Sequence, residues 1–505
     1  MKQKENRIWN GIERVGNKLP HPVYIFIILT VVVFILSALC GNIVFPHPNT
    51  GEEQYISNLM SKDGLTWLLQ SMVENFITFS PLGMTLVAML GIGVAEETGL
   101  VTAVIKRSIA GAPKVLVTAI VIFVGIMGSL AGSATFVIIP PLGAMVFKGM
   151  GRHPIAGLAS GFAGVSAGLS ANLLLTQTDV LLSGITETAA QIYDPNYLVN
   201  PSVNWYFMAA STIVLTIVGT FVVDKIVEPR LGAYNPEDAD GVTDTGEAQL
   251  KVVTDDEKAG MRWALIAVVV YVAIVLAGVL PQNGILRGED GAVLQSPFMS
   301  GMIPLMTLFF LVAGLAYGIR TRTIKKGADV INYWTKSMSG LAGFVVLCFF
   351  AGQFVKAFSK SNLGLYLSVK GSEFLAETNL TGIPLIVVFI LITMLINFMI
   401  GSASAKWALM APIFVPMFMK IGFTPAFTQA AFRIADSVTN AISPLEPFMP
   451  FIIITAMKYD RKSGLGSIIA TMLPLALAFA VSWILLIILW YVLDLPLGPG
   501  STIFM

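Results

Sequence analysis

The sequence predicts an all-α polytopic membrane protein of about nine transmembrane helices plus two re-entrant helical hairpins in an inverted repeat. Three observations carry that reading. The chain has 505 residues, of which 55% are hydrophobic and only 12% charged, where soluble domains carry about 25% charged residues. Two apolar stretches, 115–150 and 383–420, have arms of only about 15 residues, too short to cross a hydrocarbon core of about 30 Å at roughly 1.5 Å per residue. The same succession of glycine-serine tip, proline turn and Ser/Thr–Asn break occurs once in each half of the chain.

In order, residues 1–19 are polar and basic, through Lys2, Lys4, Arg7, Arg14 and Lys18. The apolar run at about 22–45 is too long for the core of a cleaved signal and lacks a small-x-small site, so it reads as a retained first helix. A polar loop leads to an amphipathic piece near 64–79 and a span at about 82–105. The first hairpin, 115–150, turns at GSLAGSAT. A long segment at about 155–190 is interrupted around 168–179, and a span follows at about 205–227. Residues 229–260 form an acidic linker, rich in glycine and aspartate, whose composition argues against fixed structure. A connecting span is expected at 261–281, then spans near 300–319 and 335–356 and an amphipathic piece at 361–380. The second hairpin (383–420), a second broken segment (425–457) and a last span at about 466–494 complete the chain.

Residues 1–228 and 295–505 read as the two repeats. GSATFVIIPPLGAMVFKGMGRHP (132–154) is echoed by GSASAKWALMAPIFVPMFMKIGFTP (401–425). Each unit then runs three to four helical turns into a break, LSAN ending at Asn172 and SVTN ending at Asn440. If both hairpins return to the side they enter from, the connecting span makes the second half start on the opposite side. With the N-terminus in the cytosol, 23 of the 31 lysines and arginines fall in cytosolic segments and six in external ones, as the positive-inside rule requires. The remaining two are Lys406 and Arg433, within the membrane. A net charge of +1 gives no nucleic-acid signal. Cys40 and Cys348 sit in apolar runs, which predicts no disulfide, and the three histidines lack metal-ligand spacing.

Residues 397–447 hold the densest chemistry. The stretch is apolar enough for a bilayer, yet it carries Asn397, Lys406, Trp407, Arg433, Asp436 and Asn440 and is broken at GSAS, Thr424–Pro425 and Ser443–Pro444. Ionisable groups at membrane depth are unfavourable by several kcal/mol (roughly 2.5 upward) and mark substrate or ion paths. Broken helices offer N–H groups to carboxylates at one end and carbonyls to cations at the other. Arg433 and Asp436 stand i, i+3 on one helix face: either they cancel each other as a buried pair, or Arg433 binds a substrate carboxylate while Asp436 responds to H⁺ or Na⁺. Lys406 either snorkels to the interface or faces a cavity. Trp407 either joins an interfacial belt or stacks on an aromatic ligand. Asn397 reads as a cavity residue. In the first half Asn172, Thr176, Thr178 and Asp179 occupy the equivalent break, and the same grounds allow a Na⁺ position near Asn172 and Asn440. Ser133 and Thr135, at the first tip, are weaker candidates.

GNKLPHP (16–22), PPLGAMVF (140–147), GRHPIAGL (151–158), TDVLLSGI (178–185), NWYFMA (204–209), PQNGIL (281–286), APIFVPMFM (411–419) and FRIADS (432–437) resemble the p-aminobenzoyl-glutamate transporter (AbgT) family over nearly the whole chain. The resemblance implies nine spans with two re-entrant hairpins, a homodimer in the inner membrane, and one of two activities. One is ion-coupled import of p-aminobenzoyl-glutamate, a folate catabolite. The other is export of sulfonamide antimetabolites by proton motive force. Family residues implicated in transport correspond to Asp179, Asn397, Trp407, Pro425, Arg433 and Asp436. The expected substrate set is therefore Asn172, Asn397, Lys406, Trp407, Pro425 and Arg433. The expected ion-coupling set is Thr178, Asp179, Asp436 and Asn440, with H⁺ or Na⁺ as coupling ion and no cofactor. A membrane-embedded hydrolase of the same compounds is disfavoured, because HExxH is missing and no histidine lies near the acids.

Overall fold

The computed structural model describes residues 22–46, 52–110, 113–131, 134–235, 253–288, 291–293, 296–378 and 380–505. The basic amino-terminal stretch, Ser133 and most of the acidic linker lie outside the described residues. A small antiparallel ribbon pairs β1 (Val44–Pro46) with β2 (Glu53–Tyr55); the remaining regular structure is helical. The first half contains α1 (Pro22–Leu39), α2 (Lys62–Ile77), α3 (Ser80–Glu97), α4 (Leu100–Ala110), α5 (Val117–Met127), α6 (Ala134–Gly149), α7 (Pro154–Phe162), α8 (Gln177–Ala190) and α9 (Trp205–Val222). The second contains α10 (Asp255–Val279), α11 (Met302–Arg320), α12 (Gly327–Gly340), α13 (Ala342–Lys360), α14 (Leu363–Glu377), α15 (Gly382–Asn397), α16 (Ala403–Lys420), α17 (Pro425–Asn440), α18 (Met449–Met457) and α19 (Leu465–Val492).

Seven helical stretches among the described residues are long and apolar enough to cross a membrane alone. The number becomes eight if α14 and α15, bent by 119° at their junction, are counted as one span. Both hairpins form as expected, α5 with α6 and α15 with α16.

Three boundaries differ from expectation. The second span is interrupted: α3 stops at Glu97 and α4 starts at Leu100, because Gly99 adopts a left-handed φ of +85° that few side chains tolerate. The acidic linker is shorter than 229–260. Helix α9 runs on through a π turn, Val223–Val227, and a final turn, Glu228–Leu231, while α10 already begins at Asp255. Its first turn holds Asp255, Asp256 and Glu257, which suit the positive end of a helix. Thr254 and Glu257 close a reciprocal capping box over it, at 3.1 and 2.7 Å. Acidic composition thus marks a helix start there rather than disorder. The span expected at 335–356 is displaced: α12 ends at Gly340 and α13 begins at Ala342.

The hairpins are seated by packing against the broken segments. Helix α6 lies along α7, α16 against α8, and α15 against α17. The first contact is close because Gly143 and Gly157 face each other; a Cβ built on Gly157 would fall 2.3 Å from the Gly143 carbonyl oxygen. The hairpins open toward opposite ends of α19, whose 28 residues make it about 42 Å long. At its amino end Ser467 and Thr471 share a cavity of about 250 Å³ with His153 and Tyr234, at the base of the first hairpin. At its carboxyl end Tyr491 packs against Phe423, Phe427 and Phe504, beside the base of the second. Charged residues assigned to one side also gather: Lys106 with Glu257 at 3.9 Å, Arg320 with Asp256 at 3.3 Å and Lys336 with Glu97 at 2.7 Å. Cys40 and Cys348 are both free thiols.

Candidate transport site

The two broken segments and the second hairpin converge on one buried polar cluster. Helix α17 is buried along all of its length. Pro425 stands at its first position, where a missing N–H is no loss, and the Thr424 hydroxyl accepts from Phe427 N–H. The carboxyl-terminal tail fixes this entry, with Thr424 N–H and Oγ1 bonded to the carbonyls of Ile503 and Thr502 at 2.9 and 2.6 Å. Pro425 therefore shapes the start of α17. Along the helix Gln429, Arg433, Asp436 and Asn440 form one polar stripe.

Arg433 does not pair with Asp436, as the i, i+3 spacing suggested. Its Nη1 donates to Asp179 Oδ1 at 2.6 Å and its Nη2 to the Ser170 carbonyl at 2.8 Å. The physical reason is direction: side chains three apart on a helix both point outward, and partners from another element reach them end-on. Asp179 Oδ2 accepts from Thr176 N–H and Thr176 Oγ1, both at 2.7 Å, closing a capping box at the start of α8. Asp179 is thus cap and ion-pair partner together. The hydroxyl in this role belongs to Thr176; Thr178, two residues on, is only partly buried and outside that box. The same break is stitched to α17 by Ser170 N–H, which donates to Ser437 Oγ at 3.1 Å.

Lys406 does not snorkel: it is 0% exposed. Its Nζ lies 2.6 Å from Asp436 Oδ1, an ion pair by distance without the alignment of a hydrogen bond. It also donates to Asn397 Oδ1 and sits 5.8 Å from the centre of the Phe432 ring. The Asn397 amide reaches Thr439 Oγ1 at 2.6 Å, Asn440 Oδ1 at 2.8 Å and the Asp436 carbonyl at 2.9 Å. An amide carries two hydrogens, so these three acceptors share them. Asn397 and Lys406 thereby tie both arms of the second hairpin to α17.

Trp407 is no belt residue. It is 0% exposed, stacks on Phe432 at 4.4 Å, and donates from Nε1 to Thr186 Oγ1 at 2.8 Å. From Thr186 the chain of bonds continues to Gln429 (2.6 Å) and from Gln429 to Asn204 on the loop before α9 (2.8 Å). Asn172 lies apart from this cluster. Its amide bonds Ser129 Oγ at 2.5 Å and the Ile126 carbonyl at 3.4 Å, joining the first break to the first hairpin. Its Oδ1 accepts from Leu174 N–H. Sequence reasoning missed Thr186, Ser170, Ser129, Asn204 and Gln429. Only Gln429 carried a usable signal, since it lies four residues before Arg433 on the same stripe. Glu446, in the second break, is also buried.

The geometry is that of a membrane protein in which broken helices and a hairpin enclose a charged centre, an architecture that transporters use. Comparison with known proteins agrees. The chain matches the model of the AbgT transporter family over residues 7–505 and belongs to that family. It is 40% identical over 500 residues to the p-aminobenzoyl-glutamate transport protein of Escherichia coli K12, covering 98% of this chain and 97% of the relative. The solved structure of the Alcanivorax borkumensis YdaH transporter, described as having an unusual topology, superposes with a TM-score of 0.89 at 37% identity, covering 95% of this chain and 100% of that one. Neisseria gonorrhoeae MtrF, described as illuminating a class of antimetabolite efflux pumps, superposes with a TM-score of 0.91 at 42% identity, covering 98% and 100%.

Proposed function

We propose that this transporter carries p-aminobenzoyl-glutamate-like folate catabolites across the cytoplasmic membrane in exchange for the movement of a coupling ion. The carrying observation is that two fully buried cations, Arg433 and Lys406, are each held by an aspartate from a different element. A substrate carboxylate that binds Arg433 competes with Asp179, and a proton on Asp179 releases the guanidinium for it. Arg433 Nε is buried without a partner, leaving one donor ready for a ligand oxygen. Trp407 stacked on Phe432 supplies an aromatic wall for the aminobenzoyl ring. The Escherichia coli relative, named for this substrate, supports the assignment.

Protons fit the coupling role better than Na⁺. The side-chain oxygens of Asn172 and Asn440 are already turned to N–H donors, so neither faces a cation, while Asp179 and Asp436 are groups that accept protons. The working form is a homodimer, as the family resemblance implies, with a cytosolic N-terminus, as the lysine and arginine distribution implies.

A second reading is proton-driven export of sulfonamide antimetabolites. It is favoured by the pairing itself: with both cations engaged, the aromatic wall suits a ligand with an aromatic amine and no carboxylates. The 42% identity to MtrF points the same way. Uptake of radiolabelled p-aminobenzoyl-glutamate into proteoliposomes, under imposed H⁺ and Na⁺ gradients separately, separates the readings. Proton-driven uptake that Arg433→Ala and Asp436→Ala abolish, in protein that remains monodisperse, supports the first. Absence of uptake with sulfonamide extrusion from the same vesicles establishes the second and makes Arg433 a structural partner of Asp179.

A further inference from the structure

The buried carboxyl, amine and guanidinium side chains among the described residues are four acids, Asp179, Glu187, Asp436 and Glu446, and two bases, Lys406 and Arg433. The two ion pairs use two of the acids. Glu187 is held by two donors, Ser80 Oγ at 3.1 Å and Val199 N–H at 3.0 Å. Glu446 is buried and takes part in neither ion pair. A bare carboxylate in such a place is unfavourable unless it is paired or neutralised.

Its position adds a second observation. Glu446 lies in the break between α17 and α18, where both hairpins arrive. The preceding residue's carbonyl, Leu445, faces Gly401 at the tip of the second hairpin, where a Cβ would come within 3.3 Å. Two residues on, Phe448 stacks on Phe136 of the first hairpin with ring centres 4.5 Å apart. Of the buried charged side chains, α17 carries Asp436 and Arg433 and the second hairpin carries Lys406, while Phe136 of the first hairpin is uncharged. Both cations are already engaged.

We infer that Glu446 is a further proton-carrying side chain of the transport cycle, protonated in the arrangement seen here and releasing its proton when the hairpins shift against the break. The balance is simple: a carboxylic acid becomes a carboxylate and one proton, which enters water on the other side, and no other bond changes. This deepens the proton-coupled reading above and rests on it.

The test uses the full-length protein as wild type, Glu446→Gln and Glu446→Asp, with two readouts. Infrared difference spectroscopy between neutral and alkaline pH reports a protonated carboxylic acid; the inference expects a band in wild type that Glu446→Gln lacks. In proteoliposomes, gradient-driven accumulation of p-aminobenzoyl-glutamate is expected to be lost in Glu446→Gln while exchange without a gradient persists, and Glu446→Asp is expected to restore accumulation. An unchanged band in Glu446→Gln, or accumulation with wild-type pH dependence in that variant, overturns the inference. Loss of both exchange and accumulation in both variants also overturns it, since that is the mark of a structural role. If wild type moves no substrate under a proton gradient, the transport reading fails separately; absence of the band would then overturn the inference too, and its presence would uphold Glu446 as a protonated buried acid.

Discussion

Replacing Arg433 by methionine leaves Asp179 at 3% exposure with the two Thr176 hydrogen bonds and no cation. Removing one partner of a buried ion pair is destabilising by about 3–5 kcal/mol, because the other charge stays behind uncompensated. The Asp179 carboxylate also caps α8 and faces the break that carries Ser170, so the loss falls first on residues 168–180. At about 1.4 kcal/mol per decade, local opening there rises by roughly two to three and a half decades. Hydrogen exchange with mass spectrometry on peptides spanning this break, in detergent, measures the effect directly. Arg433→Met/Asp179→Asn removes both charges while the side-chain amide oxygen introduced at that position still accepts from Thr176 N–H, so it should recover most of the protection. Asp436→Asn should leave this region unchanged and loosen the second hairpin tip around Lys406 instead. The pairing scheme is refuted if Arg433→Met exchanges the amides of Thr176 to Val180 at the wild-type rate. It is also refuted if Asp436→Asn deprotects them, as the i, i+3 pairing would require.

Three further outcomes are expected. Trp407→Phe forfeits the bond to Thr186, worth about 1 kcal/mol, but keeps the stack on Phe432; equilibrium binding of an aromatic substrate should survive in it and be lost in Trp407→Ala. Gly157→Ala forces a Cβ to 2.3 Å from the Gly143 carbonyl and should lower thermal stability by an amount typical of overpacking, about 1–3 kcal/mol, read from the melting of purified protein. His153 caps α7 by accepting from Ile155 N–H, and burial lowers its pKa against the opposing pull of Glu228 and Asp460. The unfolded chain then binds the proton more readily than the folded one, so stability is full above the ordinary histidine value and falls as pH drops below it. Melting temperature should decline from pH 7 toward pH 5 (about the range in which histidine titrates), and His153→Asn, which retains the cap, should flatten that part of the curve.

How much of this was readable from sequence depends on what kind of contact made it. The hairpins and the broken segments were legible because each is local: a short arm, a Gly-Ser tip, a proline, an Asn at a fixed offset. Arg433, Asp436, Lys406 and Asp179 stood out because charge is rare in an apolar background. Their partnership was illegible, since Arg433 and Asp179 lie 254 residues apart and helical spacing could offer only the neighbour on the same face. Thr186 was invisible for a different reason: a hydroxyl in a membrane helix usually bonds its own i−4 carbonyl, as Thr186 also does to Leu182 at 2.8 Å, and nothing local announces the second bond to Gln429. The acidic start of α10 misled because the same residues that deny a core to a linker also favour the first turn of a helix.

The crossed pairing changes what the charges can do. An Arg433–Asp436 pair would lie on one rigid helix and hold through any motion of that helix. The observed pairs run from α17 to the first break and from α17 to the second hairpin. A shift of α17 against either neighbour therefore opens one pair without opening the other, and each opened pair exposes one cation and one acid. On the proton-coupled reading proposed above, a substrate carboxylate and a proton occupy those two groups, and each makes the other's binding more favourable by removing its competitor. On that reading the ion pair is itself an element with two states.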